Sequence, residues 1–489
     1  MDRSRILTLL FVTVLAVMLL PELQRRFRIF EIPPLEGAFE VIERPVFSVG
    51  KFFNGSFQQE MERFIEEKVG FRPLLVRIRN QADLMLYRKA HAEGVIIARK
   101  GVVIEEDYIL EYLGRLFIGK NTIDKKLNRI KFLHDTLSQK GIKLAVVFAP
   151  GKASFHADLI PNRYRPWDKS LSNYDYFTQQ CRELGINHLD LNQYFKDLKS
   201  IASYPLYPKY GTHWSTYGMS LAADTLLKYV ESLSGQPLNQ IKHGPVDLTS
   251  HLRDTDFDGG KSMNLLWKPR TGKMAYPRLA FENDAGKHRP MVLVVADSYY
   301  WNIYNAGIPK NIFANEAFWY YHRQVYPDFY LDQKTVDQLD IRTEIEKQEV
   351  ILVMITERFL HTAFWHFTDD LYRIYKPGFQ EDHLYNYGNS IRRDRQWFGD
   401  VIGKAKKRGL TIEEMIRVDA EYMFMLDFNE KIEKTRDNYI IYYELMIKDD
   451  PEWYEQVLRK AHENALSTEE MLRRDAVWMY EHDILGMHR

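Results

Sequence analysis

At 489 residues the chain is too long for one hydrophobic core of ordinary size, so two or more structural units are expected. Its 67 basic and 67 acidic residues cancel, which argues against nucleic-acid binding, because that requires a basic excess to neutralise phosphates. One cysteine, Cys181, excludes an intramolecular disulfide and a cysteine-based metal site, and the 14% aromatic content fits an aromatic-rich core better than a broad sugar-binding surface.

The N-terminus carries an uninterrupted apolar run, "ILTLLFVTVLAVMLL", over residues 6–20. At ~1.5 Å per residue it is slightly short for a ~30 Å hydrocarbon core. No small-x-small cleavage site follows it, so residues 1–30 read as an uncleaved signal anchor rather than a removed signal peptide. Arg3 and Arg5 before the run are balanced by Arg25, Arg26 and Arg28 after it, so charge alone leaves orientation open. The bulk of the chain is expected outside the cytoplasmic membrane and close to it.

A Pro-punctuated linker, "EIPPLEGAFEVIERP", leads to an amphipathic segment, "FQQEMERFIEEKVGFRPLLVRIRNQ". From Gly94 onward short apolar runs alternate with helical periods. "VIIARKGVVI" reads as a hairpin. Ile123, Leu127, Ile130, Leu133 and Leu137 recur at steps of three and four, the period of a helix with one apolar face. "IKLAVVFAP", "RPMVLVVADSYY" and "EVILVMITERF" are continuous apolar runs, as expected of strands buried on both faces. A helix near 174–184, a short strand in "INHLDL" and a long helix over 216–233 fall between them. Strands alternating with helices predict an α/β sandwich with a mainly parallel sheet, spanning residues 31–376.

Residues 377–489 differ, being rich in charges and helix formers. Residues 391–423 align without gaps on 447–479 at an offset of 56, with Asp394/Asp450, Trp397/Trp453, Lys404/Lys460, Glu414/Glu470 and Asp419/Asp475 identical. Each copy reads as a helix, a turn in which Thr411 or Thr468 belongs to a capping signal, and a second helix. The two copies predict a helical unit that packs on itself, on the α/β domain or on a partner.

Two stretches carry candidate chemistry. "VLVVADSYY" places Asp297 and Ser298 at the carboxyl end of a buried strand, the edge where open α/β sheets bind ligands. "GTHWSTYG" places His213 before a helix, where an imidazole can take a proton from a serine and return it. Together they suggest a nucleophile and its base. Neither a two-histidine metal spacing nor a phosphate loop nor a dinucleotide fingerprint occurs, so no metal and no cofactor is expected.

The "THW" loop followed by a strand ending in "ADSY" resembles the SGNH-hydrolase-like domain of the alginate O-acetyltransferases AlgJ and AlgX. The resemblance extends over residues 37–376 and takes in the amphipathic segment, "VVFAPGKASFHADLIP" and "ITERFL". It implies an SGNH-like three-layer fold with Ser298 as nucleophile and His213 as general base. It further implies an O-acetyltransferase acting on a secreted or cell-envelope polysaccharide through a serine acyl-enzyme. The implied setting is a single-pass inner-membrane protein facing the periplasm, with a membrane-bound O-acyltransferase partner supplying acetyl. Lys152 matches a family Pro-x-Lys pattern, where it would meet a uronate or phosphate on the acceptor, or a surface carboxylate. Arg358 beside Glu357 reads as an ion pair.

One departure stands out. The family writes Asp-x-His-Trp, and here the acid's place is Gly211. Three readings follow: a Ser-His dyad using a backbone carbonyl, a substitute acid with Asp190 or Asp297 as candidates, or a dead site that only binds glycan or acts as a scaffold. An acetylesterase using the same residues is the enzymatic alternative to transfer.

Overall fold

A computed structural model describes residues 3–37, 42–164 and 168–487. Residues 38–41, within the expected linker, lie outside the described residues. Helix α1 (Arg3–Phe27) holds the apolar run and has Pro21 inside it. Its stretch Ser4–Phe27 is long and apolar enough to cross a membrane, and its apolar window is not buried against the rest of the chain. The amphipathic segment forms α2 (Ser56–Lys68) and α3 (Arg72–Tyr87). Val95–Ile97 and Val103–Glu105 pair antiparallel, as "VIIARKGVVI" predicts.

The apolar runs become strands of one sheet: β1 (Lys143–Ala149), β2 (His188–Asp190), β3 (Val292–Ala296), β4 (Phe318–Tyr320), β5 (Gln324–Tyr326) and β6 (Val350–Thr356). Their order across the sheet is β2–β1–β6–β3–β4–β5, parallel throughout except between β4 and β5. All seven residues of β6 are buried, six of them apolar in succession, which requires cover on both faces.

That cover is helical. One face, with Ala145, Val147, Val294 and Leu352, packs on Ala222, Ala223 and Leu226 of α5 (Thr216–Ser234). The other face presents Val146, Phe148, Val295 and Val353. It packs on Ile123, Leu127 and Ile130 of α4 (Lys120–Gln139) and on Leu371 of α6 (Phe367–Tyr375). The result is the three-layer α/β sandwich expected, with its parallel strands all ending on one edge. A second hairpin, Ile241–Thr249 with Met274–Phe281, leaves the segment between its strands free to approach that edge.

The C-terminal region is helical: residues 391–423 and 447–479 each hold the helix, turn and helix expected, and one further helix precedes each pair and completes the copy. The first copy is α7 (His383–Arg393), α8 (Arg395–Arg408) and α9 (Ile412–Asp427). The second is α10 (Arg436–Asp449), α11 (Pro451–Glu463) and α12 (Thr468–Asp483). Thr411 caps α9 in a capping box with Glu414. In the second copy the cap is Ser467, with Glu470, and not Thr468, which is already the first helical residue. Lys404 reaches Asp419 at 2.8 Å and Lys460 reaches Asp475 at the same 2.8 Å, so the identical residues form the same clasp twice. Phe398, Val401 and Met415 belong to the core under the sheet, whereas the second copy keeps a small core of its own around Ile440, Val457 and Leu472.

Glu111 is fully buried and accepts from Asn173 Nδ2 at 2.7 Å and from the Tyr174 N–H at 3.1 Å. Burial outweighs those bonds and pushes its carboxyl up to about 8 from 4.5. Between these values the unfolded chain has released a proton that the folded chain keeps, so stability falls as pH rises through that window. Thermal melts at pH 5 and pH 8 should show Glu111→Gln narrowing the wild-type drop in Tm by at least about 2 °C, the equivalent of roughly 1 kcal/mol in a large domain. An unchanged drop would remove Glu111 from the account.

Candidate active site

Three segments far apart in sequence meet at the carboxyl edge of the sheet. Ser298 stands in the turn directly after β3, and its Oγ lies 2.9 Å from His213 Nε2. On the other side of the ring His213 Nδ1 lies 2.5 Å from Asp258 Oδ2. With Nδ1–H donating to the carboxylate, Nε2 is left to accept the serine proton. The second oxygen of Asp258 accepts from the backbone N–H groups of Thr212 and Gly259, each at 2.6 Å. Both carboxylate oxygens are thereby occupied, and the ring is held in one orientation.

Asp258 is the residue that sequence reasoning missed. Its place is explained by Gly211. A Cβ at position 211 would sit 2.5 Å from Pro208 Cγ and 2.6 Å from the Thr255 carbonyl oxygen. No side chain fits there without moving the loop that ends in Asp258. The missing acid beside the histidine and the acid supplied from 45 residues further on are two sides of one packing arrangement. Its trace in the sequence is the run "DTDFDGG", three aspartates leading into two glycines.

The substitute acids suggested by the sequence are engaged elsewhere. Asp190 caps the helix Leu191–Leu198 and accepts from the Tyr174 hydroxyl at 2.8 Å. Asp297 is fully buried; its Oδ2 accepts from the Thr356 N–H at 2.7 Å and from the Thr356 hydroxyl at 2.8 Å, and its Oδ1 accepts from the Tyr299 N–H at 3.0 Å. Asp297 therefore ties the serine turn to the end of β6. Burial raises its carboxyl despite those donors.

Lys152 also differs from expectation. It is buried, and its Nζ donates to the carbonyls of Pro208 at 2.8 Å and Gly211 at 2.5 Å. Burial pushes its amine down to about 7. Its donors are directed at the underside of the histidine loop instead of at a solvent-borne anion. Arg358 pairs with Glu105, whereas its neighbour Glu357 accepts from the Ser154 hydroxyl at 2.7 Å.

Aromatic residues pack beneath. Trp214 is fully buried against Tyr299, with ring centres 5.1 Å apart, so it belongs to the core. The Tyr299 hydroxyl donates to the Thr212 carbonyl at 3.1 Å, and its ring lies 4.9 Å from that of His213. Tyr321, in the left-handed region at φ 51°, brings its hydroxyl against Ser298. Next to the acid's loop a cavity of about 490 Å³ is lined by Thr216, Asp254, Thr255, Trp301 and Asn302 among others. Among the described residues no group of three or more histidine, cysteine and carboxylate side chains is placed to hold a metal ion.

A serine on the carboxyl edge of a parallel sheet, bonded to a histidine that rests on a carboxylate, has the layout of a serine-dependent acyl-transferring or hydrolysing domain. Residues 115–255 match the SGNH hydrolase-like domain of the acetyltransferase AlgX, a segment that includes His213 and ends before Asp258 and Ser298. A probable alginate O-acetylase AlgJ of Pseudomonas putida is 22% identical over 187 residues, 38% of this chain and 46% of the relative. The chain thus spans about half the length of the curated relative it matches. Among solved structures, the O-acetyltransferase domain of Pseudomonas putida AlgJ is 18% identical with a TM-score of 0.33, over 55% of this chain and 92% of that one. Pseudomonas aeruginosa AlgX is 16% identical with a TM-score of 0.36, over 56% of this chain and 67% of that one. Over residues 115–255 the chain is thus similar to an SGNH hydrolase-like acetyltransferase domain of the AlgX type.

Restoring the family's acid by Gly211→Asp should damage the protein. The overpacked Cβ should lower stability by about 1–3 kcal/mol and displace the 254–258 loop. A Tm equal to wild type would contradict that packing argument.

Proposed function

We propose that this chain is a membrane-anchored O-acetyltransferase that moves acetyl onto a polysaccharide through a Ser298 acyl-enzyme. The observation that carries the reading is the continuous chain of contacts from Asp258 through His213 to Ser298.

The chemistry follows from the geometry. Ser298 Oγ attacks the acetyl carbonyl while its proton passes to His213 Nε2, and Asp258 stabilises the imidazolium that forms. The oxyanion develops beside the backbone N–H of Ser298. Collapse expels the donor's leaving group with the proton from His213 and leaves acetyl on Oγ. An acceptor hydroxyl then gives its proton to His213 and attacks the acetyl-serine, which returns Ser298 to its starting state. The cavity containing Trp301, Asn302 and Asp254 offers the stacking face and polar groups a sugar acceptor needs.

The curated relative is named a probable alginate O-acetylase, which supports acetyl as the acyl group and a secreted or cell-envelope polysaccharide as acceptor. Helix α1 suits a single-pass anchor in the cytoplasmic membrane. The sandwich then lies on the periplasmic side, where a membrane-bound O-acyltransferase partner supplies acetyl. Acetyl-ester hydrolysis by the same residues is the second reading, favoured by the partial exposure of the Asp258 side chain, 29%, which lets water approach. The vacancy at Gly211 lends a non-catalytic role no support, because Asp258 stands where an orienting acid is needed.

The full chain in detergent, incubated with an activated acetyl ester, tests this. Ser298→Ala and His213→Ala should abolish turnover, and Asp258→Asn should lower it by about 10²–10⁴. Wild type should gain about 42 Da, one acetyl group, on Ser298. Undiminished turnover in Ser298→Ala would overturn the reading. With an added oligosaccharide, acetyl on the sugar in excess of free acetate marks transfer, and free acetate alone marks hydrolysis.

A further inference from the structure

The segment between α1 and the sandwich exposes an unusual amount of apolar surface. Phe47, Val49 and Phe53 project outward around the short helix Val49–Phe53, with Phe53 83% exposed. On α3, Leu75, Ile78, Ala82, Met85 and Leu86 fall on one stripe at helical spacing and all are exposed, Leu86 at 71%. The opposite side of α3 is anchored on the sandwich: Asn80 Nδ2 donates to the Met263 carbonyl at 3.0 Å, and Gln81 Oε1 accepts from the Trp267 N–H at 3.3 Å. The apolar stripe therefore belongs to a helix whose docking is already complete on its other side. Soluble surfaces seldom carry so continuous an apolar patch without a partner.

The position of this patch identifies the partner. Gly70, between α2 and α3, touches the last turns of α1 so closely that a Cβ there would lie 1.9 Å from the Pro21 carbonyl oxygen and 2.8 Å from the Arg25 nitrogen. Phe30 and Phe71 pack with ring centres 6.1 Å apart, and the buried Gln24 side chain bonds the Phe30 N–H and carbonyl. The patch is thus fastened to α1 where its apolar run ends and its polar residues begin. If α1 crosses a bilayer, that level is the boundary between hydrocarbon and headgroups. Exposed cationic side chains, Arg79, Arg88 and Lys89, stand beside the apolar stripe, as needed to meet lipid phosphates.

We propose that residues 46–89 form an amphipathic collar that lies in the headgroup layer of the membrane entered by α1. The inference rests on the anchor reading of α1. Its apolar side chains sink into the acyl boundary, its basic residues face phosphate, and Asn80 and Gln81 couple it to the sandwich. The collar fixes the height of the Ser298 site above the bilayer, which a single unstructured tether would leave variable.

Reconstitution of the full chain in nanodiscs of phosphatidylcholine and phosphatidylglycerol tests this directly. Native Cys181 is buried with its thiol pushed up to about 12, so single-cysteine labels can be placed at Phe53→Cys, Ile78→Cys and Leu86→Cys. Leu15→Cys reports the span, and Leu331→Cys, exposed on the short helix Phe329–Asp332 of the sandwich, serves as the aqueous reference. Labels at 53, 78 and 86 should be quenched several-fold more by shallow spin-labelled lipid than the label at 331, with label 15 quenched best by deep spin labels. Water-like behaviour at all three collar positions, with label 15 still deep, would overturn the collar and leave the anchor standing. Collar labels shielded from both lipid and water would overturn it in favour of a protein contact. Label 15 in water would remove the anchor and the collar together.

Discussion

The arrangement at the sheet edge depends on backbone contact at Gly211. The histidine loop and the 254–258 loop approach until the Thr255 carbonyl occupies the volume of a missing side chain. From below, Lys152 draws the carbonyls of Pro208 and Gly211 onto one buried amine. A buried ammonium is unfavourable unless its donors are satisfied, and here backbone acceptors satisfy them. The loop is therefore clamped between a lysine and a second loop. That clamp sets the height of His213 so that one ring nitrogen reaches Ser298 and the other Asp258.

The serine is held by a different device. Asp297 uses both carboxylate oxygens to bind the turn of β3 to Thr356 at the end of β6, its parallel neighbour in the sheet. Tyr299 continues the connection by donating to Thr212 beside the histidine. Ser298 and His213 are thus joined through the sheet and through a buried tyrosine as well as through their own hydrogen bond. On the proposed reading this is preorganisation: the reacting groups keep their geometry because the groups behind them have no freedom to yield.

Much of this was readable in the sequence because it rests on local pattern. Continuous apolar runs marked β1, β3 and β6, a step of three and four marked α4, and the exact offset of 56 marked the repeats. The serine and histidine could be singled out because each sits at a strand-to-helix or loop-to-helix junction. Asp258 could not. Its partnership with His213 is created by folding two loops together, and no spacing records it. Lys152 was misjudged for a related reason, since a lysine after a strand gives no sign of whether its amine turns outward or under a loop. The cap of α12 is Ser467, the residue that the offset of 56 sets opposite Thr411 and the one with a glutamate, Glu470, three positions on, so Thr468 beside it is not the capping residue.

The repeats show how one sequence pattern serves two settings. In both copies a lysine and an aspartate close the same clasp, and in both an Asp caps the middle helix. The surroundings differ. The first copy buries Phe398, Val401 and Met415 in the core that also lines the sheet, so unfolding it would strip apolar cover from the sandwich. The second rests on a small core around Ile440, Val457 and Leu472. Local stability follows buried apolar contact, so the second copy is expected to open before the first. An element duplicated in sequence shares the core of the sandwich in one copy; in the other it carries a small core of its own and meets the first copy where Leu445 joins Phe424 and Phe428.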